Sequence, residues 1–102
     1  MRIIKPKTVR SFWQQEPQAK AGLERWYDQA KHASWSSLAE VRSVFPHADQ
    51  VTVGSGKPVV VFKIGGNKYR LVTAIHYNRQ VLHVLLFMTH AEYSKNRWKD
   101  VL

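Results

Sequence analysis

The stretch VVVFKIGGNKYRLVTAIHYNRQVLHVLLFM (Val59–Met88) decides how the rest of the chain is arranged. It divides at GGN and at NR, both turn signals, into Val59–Ile64, Lys68–Tyr77 and Gln80–Met88. Each piece is rich in β-branched and aromatic residues, and the breaks are short, so three successive antiparallel strands are the economical arrangement. The last two are apolar almost without interruption, which predicts central strands covered on at least one face. Alternation then sorts the side chains. Lys68, Arg70, Val72, Ala74 and His76 share one face; Tyr69, Leu71, Thr73, Ile75 and Tyr77 share the other, more apolar one.

Upstream the period changes from extended to helical. Arg2–Ile4 is a short strand candidate stopped by Pro6. Between Lys7 and Gln15, Val9, Phe12 and Trp13 recur at i, i+3 and i+4, the helical stripe. Pro17 breaks this helix and is suited to the first turn of the next. That second helix runs to about His32, with Leu23, Trp26, Tyr27 and Ala30 on one face, so the pair forms a helical hairpin. In SSLAEVRSVF (Ser36–Phe45), Ser37 and Glu40 make a capping box for a short helix that Pro46 ends. FMTHAEYSKNRWKDVL (Phe87–Leu102) opens a short C-terminal helix with a second capping box, Thr89 and Glu92. The order β-α-α-α-β-β-β-α over residues 1–102 predicts one α+β domain. The hairpin packs on one face of a small, mainly antiparallel sheet, and the opposite face, concave and partly open, carries the function.

Sixteen Lys and Arg against seven Asp and Glu give a net charge of +9, which calls for a polyanionic partner. Four Trp, four Tyr and four Phe add the aromatic faces on which bases stack, so a polyanionic partner such as nucleic acid ranks above a soluble protein that merely happens to be basic. No apolar run approaches the roughly 20 residues of a membrane span, and no helix is both basic and broadly apolar on one face. The opening MRIIKPKTVR lacks an export segment, so a cytoplasmic location is expected. The absence of cysteine excludes disulfides, thiolate chemistry and Cys-ligated zinc. VGSGKP (Val53–Pro58) is a turn and no phosphate-binding P-loop, because Lys57 is followed by Pro58. No H-E-x-x-H or H-x-x-E-H spacing occurs, and no metal or cofactor is assigned.

Arg70 stands on a strand beside Lys68, close to the Gly-Gly-Asn turn. Its planar guanidinium suits two phosphate oxygens at once; the competing assignment is an ion pair with one of the seven acids. Lys63 is either an edge residue facing water or a second cation over the same groove. His32 and His47 lie near helix ends and read as solvent-facing caps. His76 and His83 lie on neighbouring strands and could face each other, but a histidine pair without carboxylates is a poor metal site. His90 falls in the first turn of the last helix, whose dipole disfavours an imidazolium, and a general base requires the neutral ring. Tyr93, three residues on, shares its helix face. The plainer assignment is a surface histidine and a core tyrosine.

FKIGGNKYRLVTAIHY and VLLFMTHAEYSK, preceded by EVRSVFPHADQV (Glu40–Val51), resemble the HigB-type toxins of bacterial toxin–antitoxin systems, within the RelE/ParE-like superfamily. The likeness runs from the helical hairpin to the terminal helix and is most specific at GGNKYRL (Gly65–Leu71) and THAEY (Thr89–Tyr93). It implies a RelE-like fold and an mRNA interferase: a ribosome-dependent, metal-independent endoribonuclease. It implies silencing by a HigA-like helix-turn-helix antitoxin, and contact with operator DNA only through the antitoxin complex. Arg70 would bind and stabilise the scissile phosphate, and His90 and Tyr93 would serve proton transfer or stacking. Lys63, Lys68, Asn67 and His76 make up the expected RNA-binding surface. Superfamily members distribute their catalytic groups differently, and some attack DNA gyrase. Two other readings therefore stand beside the RNase: a noncatalytic nucleic-acid-binding or regulatory module, and a gyrase-directed toxin of the same fold.

Overall fold

The Val59–Met88 stretch forms three antiparallel strands, and the computed structural model, which describes residues 1–102, sets two more beside them. In chain order the elements are β1 (Arg2–Ile4), α1 (Pro6–Gln15), α2 (Lys20–His32), α3 (Leu38–Val44), β2 (Asp49–Thr52), β3 (Pro58–Ile64), β4 (Tyr69–His76), β5 (Val81–Thr89) and α4 (His90–Ser94). The sheet order is β1-β5-β4-β3-β2, with β1 parallel to β5 and the other pairs antiparallel. The expected α+β layering holds. The strand missing from the sequence reading is β2, whose residues DQVT are mostly exposed. An edge strand is paired on one side only and tolerates polar side chains, so it carries little hydrophobic signal.

The two strand connections differ in kind. At β3–β4, Gly65 and Gly66 both have positive φ, 64° and 69°, which explains why glycine occupies both positions. Lys68 belongs to this turn; β4 begins one residue later, at Tyr69. The β4–β5 link is longer than the expected two-residue NR turn. A 3₁₀ turn over Tyr77–Arg79 leads into Gln80 at φ 55°, whose amide donates to the carbonyls of Trp35 at 2.7 Å and Tyr77 at 2.8 Å. Those side-chain bonds hold a backbone conformation that a non-glycine residue rarely adopts.

Register passes from Val72↔Leu86 to Thr73↔Val84, leaving Leu85 as the extra residue of a β-bulge. The bulge lets Leu85 and Leu86 pack on the same side, while Val84 and Phe87 pack on the helical side. The helical side holds the larger core, where Leu23 and Trp26 of α2 and Phe45 meet Phe62 and Leu71 of the sheet. Trp26 and Phe45 approach the Phe62 ring edge-on at 5.5 and 5.1 Å between centroids. On the other side Trp98, in a 3₁₀ turn over Arg97–Val101, packs with Val53, Val59, Val61 and Val72. The near-continuous apolarity of the central strands follows, because both faces are covered. The face away from the helices, expected to be concave and partly open, is thus largely covered by this smaller core.

Both N-caps form, but neither capping box closes as expected: the Glu92 carboxylate lies against Lys95 at 3.4 Å and makes no bond back to Thr89. Ser37 Oγ accepts from Glu40 N at 3.3 Å, but the Glu40 carboxylate reaches back to Ser36, accepting from its N at 2.7 Å and its Oγ at 2.9 Å. The backbone bond from Ser36 holds the Glu40 carboxyl below its ordinary value.

A Cβ built on Gly22 of α2 would lie 2.9 Å from Ile64 Cγ2 and 3.0 Å from the Gly65 backbone nitrogen. Alanine gains up to ~1 kcal/mol over glycine inside a helix, whereas overpacking costs ~1–3 kcal/mol. The second effect wins because the Gly65 backbone is fixed by its turn. Gly22→Ala is expected to lower the unfolding free energy in urea by about 1 kcal/mol; a gain would show that the helix–sheet spacing relaxes freely.

Candidate active site

The Gly-Gly turn, the start of β4 and the start of α4 converge on one side chain, Arg70. It lies opposite Lys63 on β3 and Met88 on β5, on the face away from the helices, and is only 4% exposed. Nη1 donates to the backbone oxygens of Asn67 (3.1 Å) and Tyr69 (3.0 Å), while Nη2 donates to Asn67 Oδ1 at 2.7 Å. Nη2 also lies 3.0 Å from His90 Nδ1. Every one of these acceptors is neutral, and no carboxylate pairs with the guanidinium, so the ion-pair assignment does not hold. A charge taken out of water without an opposite charge costs several kcal/mol. Arg70 is therefore a buried cation left uncompensated in the free protein.

His90 is placed by backbone bonds. Its N–H donates to Lys68 O at 2.8 Å, and Thr89 Oγ1 caps α4 by accepting from Glu92 N at 3.2 Å. A guanidinium can only donate, so His90 Nδ1 is the acceptor in the contact with Arg70. The ring hydrogen then sits on Nε2, and that N–H is what the exposed imidazole offers to a ligand.

Tyr93 completes the cluster. The Arg70 guanidinium lies over its ring at 5.5 Å, and the ring stacks on Trp98 at 5.1 Å and 19°. Trp98 Nε1 donates to Tyr93 O at 3.1 Å, tying the stack to the smaller core. Burial pushes the Tyr93 phenol up, and the Asp49 carboxylate adds to the effect; Arg70 opposes it. The phenol is a proton donor at neutral pH.

A groove of about 380 Å³ opens at this point, lined by Arg42, His47, Asp49, Lys63, Arg70 and Tyr93 over Val61. Its one carboxylate, Asp49, lies 3.7 Å from Arg42 Nη2, which leaves the groove cationic. A larger cavity of about 500 Å³ between α1 and α2 contains none of the candidate residues. Its charges balance, Lys7 and Arg10 against Glu24 and Asp28.

Arg70, His90 and Tyr93 are thus brought together, and Lys63 lines the same groove. Asn67 sits at the cluster through its two bonds to Arg70. Lys68 is an exposed turn residue whose carbonyl anchors His90. His76 stands apart, six residues along β4, or roughly 20 Å at strand rise. Its ring meets that of His83 edge-on at 5.3 Å, so the expected histidine pair does face itself. Sequence reasoning missed the groove residues Arg42, His47 and Asp49, and the Trp98 stack. Pro46 marked a turn after α3, but without β2 nothing showed that the turn folds over the sheet.

A helical layer on a mostly antiparallel sheet, with a short C-terminal helix at its open end, defines a RelE-like fold. Residues 19–96 match the family model HigB_toxin, described as the RelE-like toxic component of a toxin–antitoxin system. The chain belongs to this family. It is the toxin component of a toxin–antitoxin system, and its partner is an antitoxin. Among curated proteins none matches the chain significantly. No helix is long and apolar enough to cross a membrane.

The raised Tyr93 phenol gives a measurable consequence. A folded value above the unfolded one near 10 contributes stability that is present below about pH 10 and lost as pH rises through the folded value. In alkaline absorbance titrations, the difference between parent and Tyr93→Phe should show one phenol ionising above the ordinary range. Asp49→Asn should bring that phenol down. Ionisation at the ordinary value in the parent would show that the ring is not held against Trp98 in solution.

Proposed function

We propose that this toxin is a ribosome-dependent endoribonuclease that cleaves translated mRNA without a metal, acts in the cytoplasm, and is neutralised by a HigA-like helix-turn-helix antitoxin. Operator DNA would be reached only through the antitoxin complex. The observation that carries the reading is Arg70: a buried cation held by neutral acceptors, at the base of a cationic groove, with an imidazole and a phenol against it. A phosphodiester supplies the missing negative charge.

The chemistry that fits is attack by a ribose 2′-oxygen on the adjacent phosphorus. The O2′–P bond forms and the P–O5′ bond breaks, leaving a 2′,3′-cyclic phosphate and a 5′-hydroxyl. Arg70, with Lys63 across the strand pair, meets the charge that develops on the phosphoryl oxygens. The Nε2–H of His90 and the Tyr93 hydroxyl are the donors for those oxygens and for the departing O5′. Asn67 serves by aiming Arg70, and Lys68 meets backbone phosphate beside the cut. His76 would contact RNA only well away from the scissile bond. Side-chain cations fill the place a metal would otherwise take, and a codon oriented by the ribosome supplies the remaining alignment.

Primer-extension mapping on translating ribosomes is the test. The parent should produce 5′ ends inside translated codons, with naked mRNA left intact. Arg70→Ala should lower cleavage roughly 10²–10³-fold, the cost of removing one donor to a developing anion. Arg70→Lys should restore little, since an ammonium lacks the planar fork. Undiminished toxicity of Arg70→Ala would refute the site. Intact mRNA with accumulated gyrase–DNA breaks would favour the gyrase-directed reading instead.

A further inference from the structure

Attack by a 2′-hydroxyl needs a group that takes its proton, and the cluster around Arg70 does not supply one. His90 Nδ1 is occupied by the guanidinium, and Nε2 already carries the ring hydrogen. Tyr93 holds its own proton, and Arg42, Lys63 and Arg70 are cations. Asp49 is turned toward Arg42 at 3.7 Å and is the weaker kind of base at neutral pH. One side chain lining the groove remains, the imidazole of His47.

His47 is held there by a tight turn. Ala48 N donates to Phe45 O at 2.9 Å, closing a four-residue turn with Pro46 and His47 at its two central positions. Proline favours the first of these because its φ is preset. Arg42 Nε donates to Ala48 O at 2.9 Å, and Ala48 itself is buried, so the turn is pinned between α3 and β2. The His47 side chain is exposed and makes no hydrogen bond, which leaves both ring nitrogens free for a ligand.

We infer that His47 is the general base of the cleavage, lining the same groove as Arg70 and Tyr93, with His90 held against Arg70. The inference rests on the endoribonuclease reading above. His47 takes the 2′-hydroxyl proton as the O2′–P bond forms. The P–O5′ bond breaks, and O5′ takes the Tyr93 proton while the His90 Nε2–H steadies the phosphoryl oxygen. Proton return from the His47 imidazolium to the Tyr93 phenolate through water restores both groups. Imidazole is the side chain whose basicity best matches this task at neutral pH. The charged and titratable groups facing His47 are Arg42 from α3, Asp49 from β2, Lys63 from β3, Arg70 from β4 and Tyr93 from α4. Cations outnumber the single carboxylate there.

The test is single-turnover cleavage on programmed ribosomes across pH, with parent, His47→Ala, His47→Gln and Arg70→Ala. His47→Ala and His47→Gln should cut the rate roughly 10²–10⁴-fold, the usual contribution of a positioned base, with ribosome affinity unchanged. The acidic limb of the pH profile should disappear, and added imidazole should restore part of the His47→Ala rate. Because His47 is exposed, the thermal melt should stay that of the parent. If His47→Ala keeps the parent rate and acidic limb while Arg70→Ala is inactive, the base is another group and the cleavage reading stands. Weakened ribosome affinity with an unaltered pH profile would make His47 a binding contact and also overturn the inference. A parent that cuts no RNA under any of these conditions removes both.

Discussion

The hydrogen bonds from Arg70 to Asn67, Tyr69 and His90 gather the β3–β4 turn, the start of β4 and the start of α4 around one guanidinium. The β3–β4 turn must fold back with both glycines at positive φ so that Asn67 presents two oxygens to one guanidinium. Strand β5 must end at Thr89 so that the His90 N–H can reach Lys68 O and its ring can reach Nη2. Both contacts are made by His90, one to Lys68 and one to Arg70 two residues on, so a register slip between β4 and β5 would break both. The motifs GGNKYRL and THAEY are therefore two halves of a single arrangement.

That arrangement stands on a sheet covered on both sides. The bulge at Leu85 sends two consecutive leucines to the face away from the helices, where Trp98 closes over Val72. Trp98 then backs Tyr93, and Tyr93 lies against Arg70. The smaller core thus ends in the groove wall, and packing of Tyr93 against Trp98 helps decide where the phenol lies. Removing the C-terminal turn would expose valines and release the aromatic side of the site together.

The central strands were legible in the sequence because burial on both faces leaves long β-branched runs punctuated by glycine and asparagine. The helical hairpin was legible from its period, and both N-caps from their Ser and Thr. The strand β2 was not, since DQVT at a sheet edge needs no apolar pattern. Its omission hid more than four residues. With β2 in place, Pro46 and His47 become the tip of a turn over the groove; without it, His47 reads as the solvated end of α3. The Lys68 boundary, the longer Tyr77–Gln80 turn and the Glu40 bond to Ser36 depend on local hydrogen-bond geometry that spacing does not encode. Arg70, His90 and Tyr93 were reachable as candidates, but the tautomer that turns His90 into a donor follows only from the contact with Arg70.

No carboxylate stands beside Arg70, although one would compensate its buried charge. An acid in that place would orient the guanidinium and neutralise it in one step, and a phosphate would then have to displace it. Amide oxygen, backbone carbonyls and an imidazole nitrogen orient the same group while leaving its charge unspent. The one acid nearby, Asp49, is drawn aside by Arg42. Its remaining effect within the groove is to help keep the proton on Tyr93. The guanidinium is thereby aimed with its charge uncompensated, at a cost in stability that the apolar layers on either side of the sheet offset.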